Sequence, residues 1–298
     1  MPTLCLGEAI VDLVCERPVA DPADADAFRP HFGGAAGNVA HTAAALGADV
    51  ALAGGAGDDA WGRWLRGRLE RVGVDLRWFE LVDGLATPFA LVTTDAAGEP
   101  SFSIYGDGIA ATIEALSGRV DEAAEASDAL FFGTNTMVGK AERELTMAAR
   151  ERALALDRPV VFDPNLRPAR WRASAEAAAA ANAAVPGAFL VRTNRVEAQA
   201  MTGEPDPEHA AAALLAGGAR FVVVTLGAEG AMLRGELQAD LAGVRAHVRS
   251  TVGAGDALMG VLLARLALAG FDPPALAAAL PEAVAEGARA TERWGAVE

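Results

Sequence analysis

The chain has 298 residues, 52% hydrophobic and 22% charged, with a formal net charge of −15. These proportions fit a globular enzyme with a sizeable core and exclude a disordered or collagen-like chain. The acidic balance argues against nucleic acid or an anionic membrane surface as a partner, because both attract basic footprints.

The N-terminal stretch MPTLCLGEAIVDLVCERP has no basic leader, and Glu8 and Asp12 interrupt its apolar run, so it does not read as a signal peptide. Only Cys5 and Cys15 are present, which predicts reduced thiols and a cytoplasmic location rather than a disulfide framework. In chain order, LCLGEAIVDLV reads as one buried strand, GNVAHTAAALGA as a helix, DVALAGGAG as a strand and DDAWGRWLRGRLERVG as an amphipathic helix. From 76 to 109 the pattern changes to period two, with LRWFELV and then TPFALVTTDAAGEPSFSIY around the turn AAGEP. This predicts a small antiparallel insertion that the segment 15–32 joins. The runs ALFFG, PVVFDPN, AFLVRTN and RFVVVTLG follow, each apolar and ending in polar or glycine residues, with alanine-rich helical stretches between them. Strands alternating with helices predict a mostly parallel sheet covered on both faces. Ligands gather at the carboxyl ends of such strands, which singles out Asp163, Asn165, Asn194, Thr225 and Gly227.

The stretch TVGAGDALMGVLLARL (Thr251–Leu266) sets a glycine turn before an apolar helix, so Gly253, Ala254 and Gly255 can present backbone N–H groups to an anion at the positive end of the helix dipole. Asp256, at the expected helix start, takes the place that a lysine holds in a Walker loop. Lys140, the only lysine, lies in GTNTMVGKA, which has the wrong spacing and no following hydroxyl. An oxyanion cradle beside a carboxylate suits phosphoryl transfer to an alcohol: Asp256 accepts the proton of the attacking hydroxyl while the amides hold the phosphoryl group. The alternative is that Asp256 only caps its helix. Toward the N-terminus, Gly33, Gly34 and Asn38 precede or open a helix, and Asp12 ends a strand near the same crevice. Asn194 and Glu197 of TNRVEA share a helix face and suit the water shell of Mg²⁺, or a cap.

Together, FGGAAGN, AGGAGDDAWGRWL, DPNLRPARW, TNRVEA, VTLGAEGA and VGAGDALMG resemble, in order and spacing, the ribokinase-like carbohydrate kinases of the PfkB family, particularly bacterial fructokinases and 2-keto-3-deoxygluconate kinases. The resemblance spans nearly the whole chain. It implies one α/β/α kinase domain over 1–298 with a mostly parallel central sheet and a β-sheet lid, Mg·ATP as donor and a sugar as acceptor. It implies Asp256 as base and Gly253, Ala254 and Gly255 as anion hole. Nucleotide contacts would come from Asn194, Thr225, Gly227, Gly230 and Ala288, and magnesium would be held by Glu197 with Asn194, through water. Acceptor contacts would come from Asp12, Gly33, Gly34, Asn38, Asn165 and Arg167, with Phe89 and Tyr105 approaching from the lid. A homodimer through the lid is implied as well.

Two departures bear on substrate and cofactor. Ser250 and Val252 replace the first Asp and the second Thr of the family's D-T-T-G-A-G-D, which puts a monovalent-cation site in doubt. The lid reads YGDG after Ile104, without the arginine that commonly follows the tyrosine, and Asp107 would repel a carboxylate. The expected acceptor is therefore a neutral sugar, fructose-like first. The alternatives are a sugar-acid or nucleoside kinase, or a homologue that binds without turnover.

Overall fold

The computed structural model describes residues 1–106 and 108–297. Its strands are β1 (Thr3–Leu6), β2 (Ile10–Pro18), β3 (Arg29–Gly33), β4 (Val50–Gly57), β5 (Phe79–Val82), β6 (Phe89–Thr94), β7 (Pro100–Tyr105), β8 (Ala129–Phe132), β9 (Val160–Phe162), β10 (Leu190–Asn194), β11 (Phe221–Thr225), β12 (Gly230–Gly235) and β13 (Ala239–Ala242). The helices are α1 (Ala35–Ala45), α2 (Ala60–Arg71), α3 (Gly108–Glu114), α4 (Val120–Glu125), α5 (Lys140–Ala155), α6 (Ser174–Ala184), α7 (Arg195–Thr202), α8 (Pro207–Ala216), α9 (Ala254–Leu268) and α10 (Pro273–Ala290).

A nine-stranded sheet runs in the order β13-β12-β11-β10-β9-β8-β1-β4-β5. It is parallel from β5 to β11 and ends in the antiparallel β12 and β13. Its parallel strands are apolar on both faces, as burial on both sides requires. Phe221 and Val223 of β11 join the cluster formed with α1, α2, α9 and α10. Val222 and Val224 join the opposite cluster, formed with α3 to α8. This is the three-layer α/β/α arrangement expected from the alternation. Helix α9 is buried on nearly every side, as an all-round apolar helix must be, and it carries Asp256 in its first turn.

Three local expectations are corrected. The run LCLGEAIVDLV is two strands: β1 stays in the central sheet, and β2 leaves for a second sheet after Gly7–Ala9. The cause is Glu8, a buried carboxylate whose Oε1 accepts the Ala35 N–H at 2.9 Å and the Asn135 Nδ2–H at 2.9 Å, so the chain turns inward there. The lid, with order β3-β2-β6-β7, is mixed rather than antiparallel, because β2 and β6 pair in parallel. Of the segment 76–109, β6 and β7 enter the lid but β5 does not; it pairs with β4 at the edge of the central sheet. No described helix is long and apolar enough to cross a membrane.

Candidate active site

The N-terminus of α9 divides two cavities. Gly253 and Asp256 face a narrow cavity under the lid, while Ala254 and Gly255 face a cleft of about 1180 Å³ over the carboxyl ends of β10 and β11. Helix α9 starts at Ala254, two residues earlier than expected, with Gly253 as a left-handed N-cap at φ 72°. A Cβ on Gly253 would collide with Ala296, so glycine is required there on both counts. The N–H groups of Gly255 and Asp256 take no protein acceptor among the described residues, which leaves them open to an anion.

Asp256 does not cap its own helix. Its Oδ2 accepts from Asn38 Nδ2 at 2.8 Å, and its Oδ1 accepts from Asn165 Nδ2 at 3.2 Å. Asn38 lies on α1 and Asn165 follows β9, so three separate elements meet at one carboxylate. Asn165 holds a left-handed φ of 44°, a conformation asparagine tolerates better than most residues. Burial pushes the Asp256 carboxyl up from its ordinary range, and Asn38, Arg167 and Arg192 pull it back.

Asp12 lies on β2 beside this group. Burial first, and then the charge of Asp256, push its pKa up to about 7. Gly33 leaves the room that Asp12 occupies, since a Cβ there would overlap the carboxylate. It therefore stands behind Asp12, whereas Gly34 lines the cavity itself. Arg167 lines it too and lies 5.0 Å over the Phe102 ring. Three buried acceptors in this cavity, Asp12 Oδ1, Asn38 Oδ1 and Asn165 Oδ1, have no protein donor. Glu8 and Asn135, which the sequence reading did not select, complete the polar wall.

The lid contributes different residues from those expected. Phe102 and Ile104 line the cavity. Phe89 and Tyr105, paired across β6 and β7, stack at 5.4 Å on the other face and are exposed. Alternation along a strand puts adjacent residues on opposite faces, so neither approaches this cavity in the present lid position. Asp107 lies outside the described residues.

On the other side, Asn194, Thr225, Gly227, Gly230 and Ala288 all line the large cleft. The segment Val244–Val248, Val284, Gly287 and Thr291 add walls that carried no recognisable pattern in sequence. Asn194 and Glu197 form a capping box: Asn194 Oδ1 accepts the Glu197 N–H at 2.9 Å, and Glu197 Oε2 accepts the Asn194 N–H at 3.0 Å. Glu197 Oε1 also takes the Leu166 N–H at 2.9 Å. Both carboxylate oxygens are thus engaged, and the pair fits a divalent cation only through intervening water. Among the described residues no cluster of three or more His, Cys, Asp or Glu has metal-holding geometry. Ser250 is fully buried, with Oγ accepting the Val252 N–H at 3.2 Å. The position therefore carries a neutral hydroxyl and supplies no carboxylate charge to a monovalent cation.

The family model for pfkB family carbohydrate kinases matches residues 3–291. A fructokinase from Oryza sativa subsp. japonica is 30% identical over 262 residues, which cover 87% of this chain and 81% of that protein. An aminoimidazole riboside kinase from Salmonella typhimurium is 29% identical over 294 residues, 98% of this chain and 89% of that one. A solved structure of a fructokinase variant from Vibrio cholerae O395, with fructose, ADP and a potassium ion bound, superposes with a TM-score of 0.85 at 28% identity, covering 99% of this chain and 93% of the other. The nucleotide-sized cleft and the hydroxyl-hungry cavity, met at one helix terminus, accord with these likenesses: the chain is a phosphotransferase that belongs to the PfkB family of carbohydrate kinases.

Proposed function

We propose that the chain transfers the γ-phosphoryl group of Mg·ATP to a hydroxyl of a neutral sugar, with fructose as the first candidate. The observation that carries the acceptor class is the set of orphan oxygens Asp12 Oδ1, Asn38 Oδ1 and Asn165 Oδ1 around Asp256. A buried acceptor without a donor costs about 1–3 kcal/mol, and a polyol supplies several O–H donors at once. Arg167 adds a cation to the cavity, but its charge already acts on Asp12 and Asp256, which leaves a substrate carboxylate little to gain.

In this mechanism Asp256 accepts the proton of the attacking hydroxyl. The open amides of Gly255 and Asp256, within the Gly253–Asp256 turn, receive the charge on the transferring group. Asn194, Thr225, Gly227, Gly230 and Ala288 bind the nucleotide. Glu197 and Asn194 would hold magnesium through water, and the ion would supply positive charge against the phosphates. The sugar-side cavity is only about 40 Å³, less than a sugar ring needs, so the lid lifts to admit the acceptor and closes to exclude water. The exposed Phe89–Tyr105 pair on the outer face of the lid supports a homodimer there, and the free, buried Cys5 and Cys15 suit a reducing cytoplasm.

A riboside acceptor is the second reading, favoured by the likeness to the aminoimidazole riboside kinase over 98% of this chain. A coupled ADP-release assay with Mg·ATP against fructose, ribose, 2-keto-3-deoxygluconate and nucleosides separates the readings. Fructose is expected to give the highest kcat/KM, and the assay with and without potassium tests whether the loss of carboxylate charge at Ser250 weakens activation. Turnover confined to a riboside would replace the first reading with the second; silence across the panel would remove both.

A further inference from the structure

The phosphate cleft contains no lysine: Lys140 is exposed on α5, where it pairs with Glu144. Arg192 of β10, with 6% of its surface exposed in the wall of the large cleft, is a cation packed against the glycine turn. Its Nη1 donates to Asp163 Oδ2 at 3.1 Å, and its Nη2 donates to Thr225 Oγ1 at 2.9 Å. Its Nε has no partner. The guanidinium lies against Gly255 so closely that a Cβ there would fall 2.6 Å from Nη1 and 2.7 Å from Nη2. Stability alone does not explain this arrangement, because a buried ion pair can usually be replaced by apolar packing at no loss. The surroundings are moreover rich in carboxylates, with Asp163, Glu197 and Asp256 all acting on Arg192. The cleft wall also carries Arg245 and Arg195, the latter paired with Glu229, but Arg192 is the one packed directly against the glycine turn among these carboxylates.

We propose that Arg192 is the built-in cation of the phosphate site, a positioning residue that Asp163 and Thr225 hold beneath Gly255. It draws the terminal phosphates of the nucleotide onto the α9 N-terminus and supports the charge that develops during transfer. This rests on the kinase reading above, and it assigns to one buried arginine the role that a lysine serves in glycine loops of the Walker type.

The test compares Arg192→Gln, Arg192→Lys and the double variant Asp163→Asn/Arg192→Gln with the parent. Calorimetry measures affinity for ATP and for adenosine, a melting curve reports folding, and ADP release reports turnover. Arg192→Gln should lose ATP affinity on the order of tenfold with adenosine unchanged, and kcat on the order of 10². Arg192→Lys should recover part of both. The double variant, which no longer buries a lone carboxylate, should recover the melting temperature but neither ATP affinity nor kcat. Recovery of turnover by the double variant would overturn the proposal and reduce Arg192 to a counterion for Asp163. A parent that binds ATP no better than adenosine would overturn it as well. A parent that prefers ATP yet turns over no acceptor would sink the kinase reading instead, and the ATP-to-adenosine ratio of the variants would still decide on Arg192.

Discussion

Asn38 Nδ2 lies 2.8 Å from Asp256 Oδ2, across a boundary between α1 and α9 that is 218 residues long in sequence. This bond, with that from Asn165, fixes the carboxylate facing the acceptor cavity rather than its own helix. Asp256→Asn should therefore lower kcat on the order of 10² to 10⁴, while the melting temperature and the affinity for ATP stay near those of the parent. A drop in melting temperature with turnover preserved would restore the capping role.

Gly33 and Asp12 share one volume. A Cβ at Gly33 would overlap the Asp12 carboxylate, so Gly33→Ala should push Asp12 off its hydroxyl-accepting position. Losing a hydrogen bond to a charged group costs about 1.5–3 kcal/mol, so KM for the acceptor should rise about 10- to 10²-fold. KM for ATP should be unaffected, since Gly33 and Asp12 lie on the other side of α9. Steady-state kinetics with each substrate varied in turn makes the comparison; a parallel rise in both KM values would show a global distortion instead.

The buried carboxylates also set a pH dependence. Asp12 titrates near 7 in the fold against about 3.9 when unfolded. Between these values the folded state binds the proton and the unfolded state does not. Stability from this group is therefore fully present below about pH 4 and is lost as pH rises through about 7. Burial moves Glu8, Asp163 and Asp256 in the same direction. The melting temperature without ligand should fall between pH 5 and pH 8, and Asp12→Asn should flatten part of that fall. An equal slope in the variant would show that Asp12 stays ionised throughout.

Much of this site could be read in the sequence because its parts are local. The glycine turn before α9 needs only its neighbours to be recognised, and the polar ends of β9, β10 and β11 follow from strand periodicity. What escaped depends on contacts distant in sequence. Glu8 looked like a mere interruption of an apolar run, yet Ala35 and Asn135 draw it inside and split the strand in two. The lid residues were misplaced by parity: Phe102 and Ile104 face the cavity, and Tyr105, one step further, faces away, since a single residue changes the side of a strand. The parallel pairing of β2 with β6 joins segments on either side of β4 and α2, and no turn signals it. Arg192 did leave a trace, as the one charge in the buried run FLVRT, where a cation is rarely placed without a partner.

The tip of the lid hairpin reaches the segment that leads into α9. Gly98 O accepts the Thr251 N–H at 2.8 Å, and Ala97 and Glu99 form part of the large cleft's wall. The lid thus touches both halves of the site: Phe102 and Ile104 on the acceptor side, and its turn on the donor side. Gly98 has φ +88°, and a Cβ there would fall 2.6 Å from Val248 Cγ1, so Gly98→Val is strained by backbone and neighbour alike. Because Asp95–Ala97 and Glu99 around it are exposed, the variant should keep most of its stability but undock the tip. A lid that no longer seats against the α9 approach admits water beside the phosphoryl group. ADP release without acceptor should then rise relative to release with acceptor, and KM for the acceptor should increase. Measuring both rates on one preparation distinguishes this from simple inactivation, which lowers them together. An unchanged ratio would mean that closure is governed by the acceptor-side contacts of β7 alone, and that the turn rests on Thr251 without taking part in sealing the site.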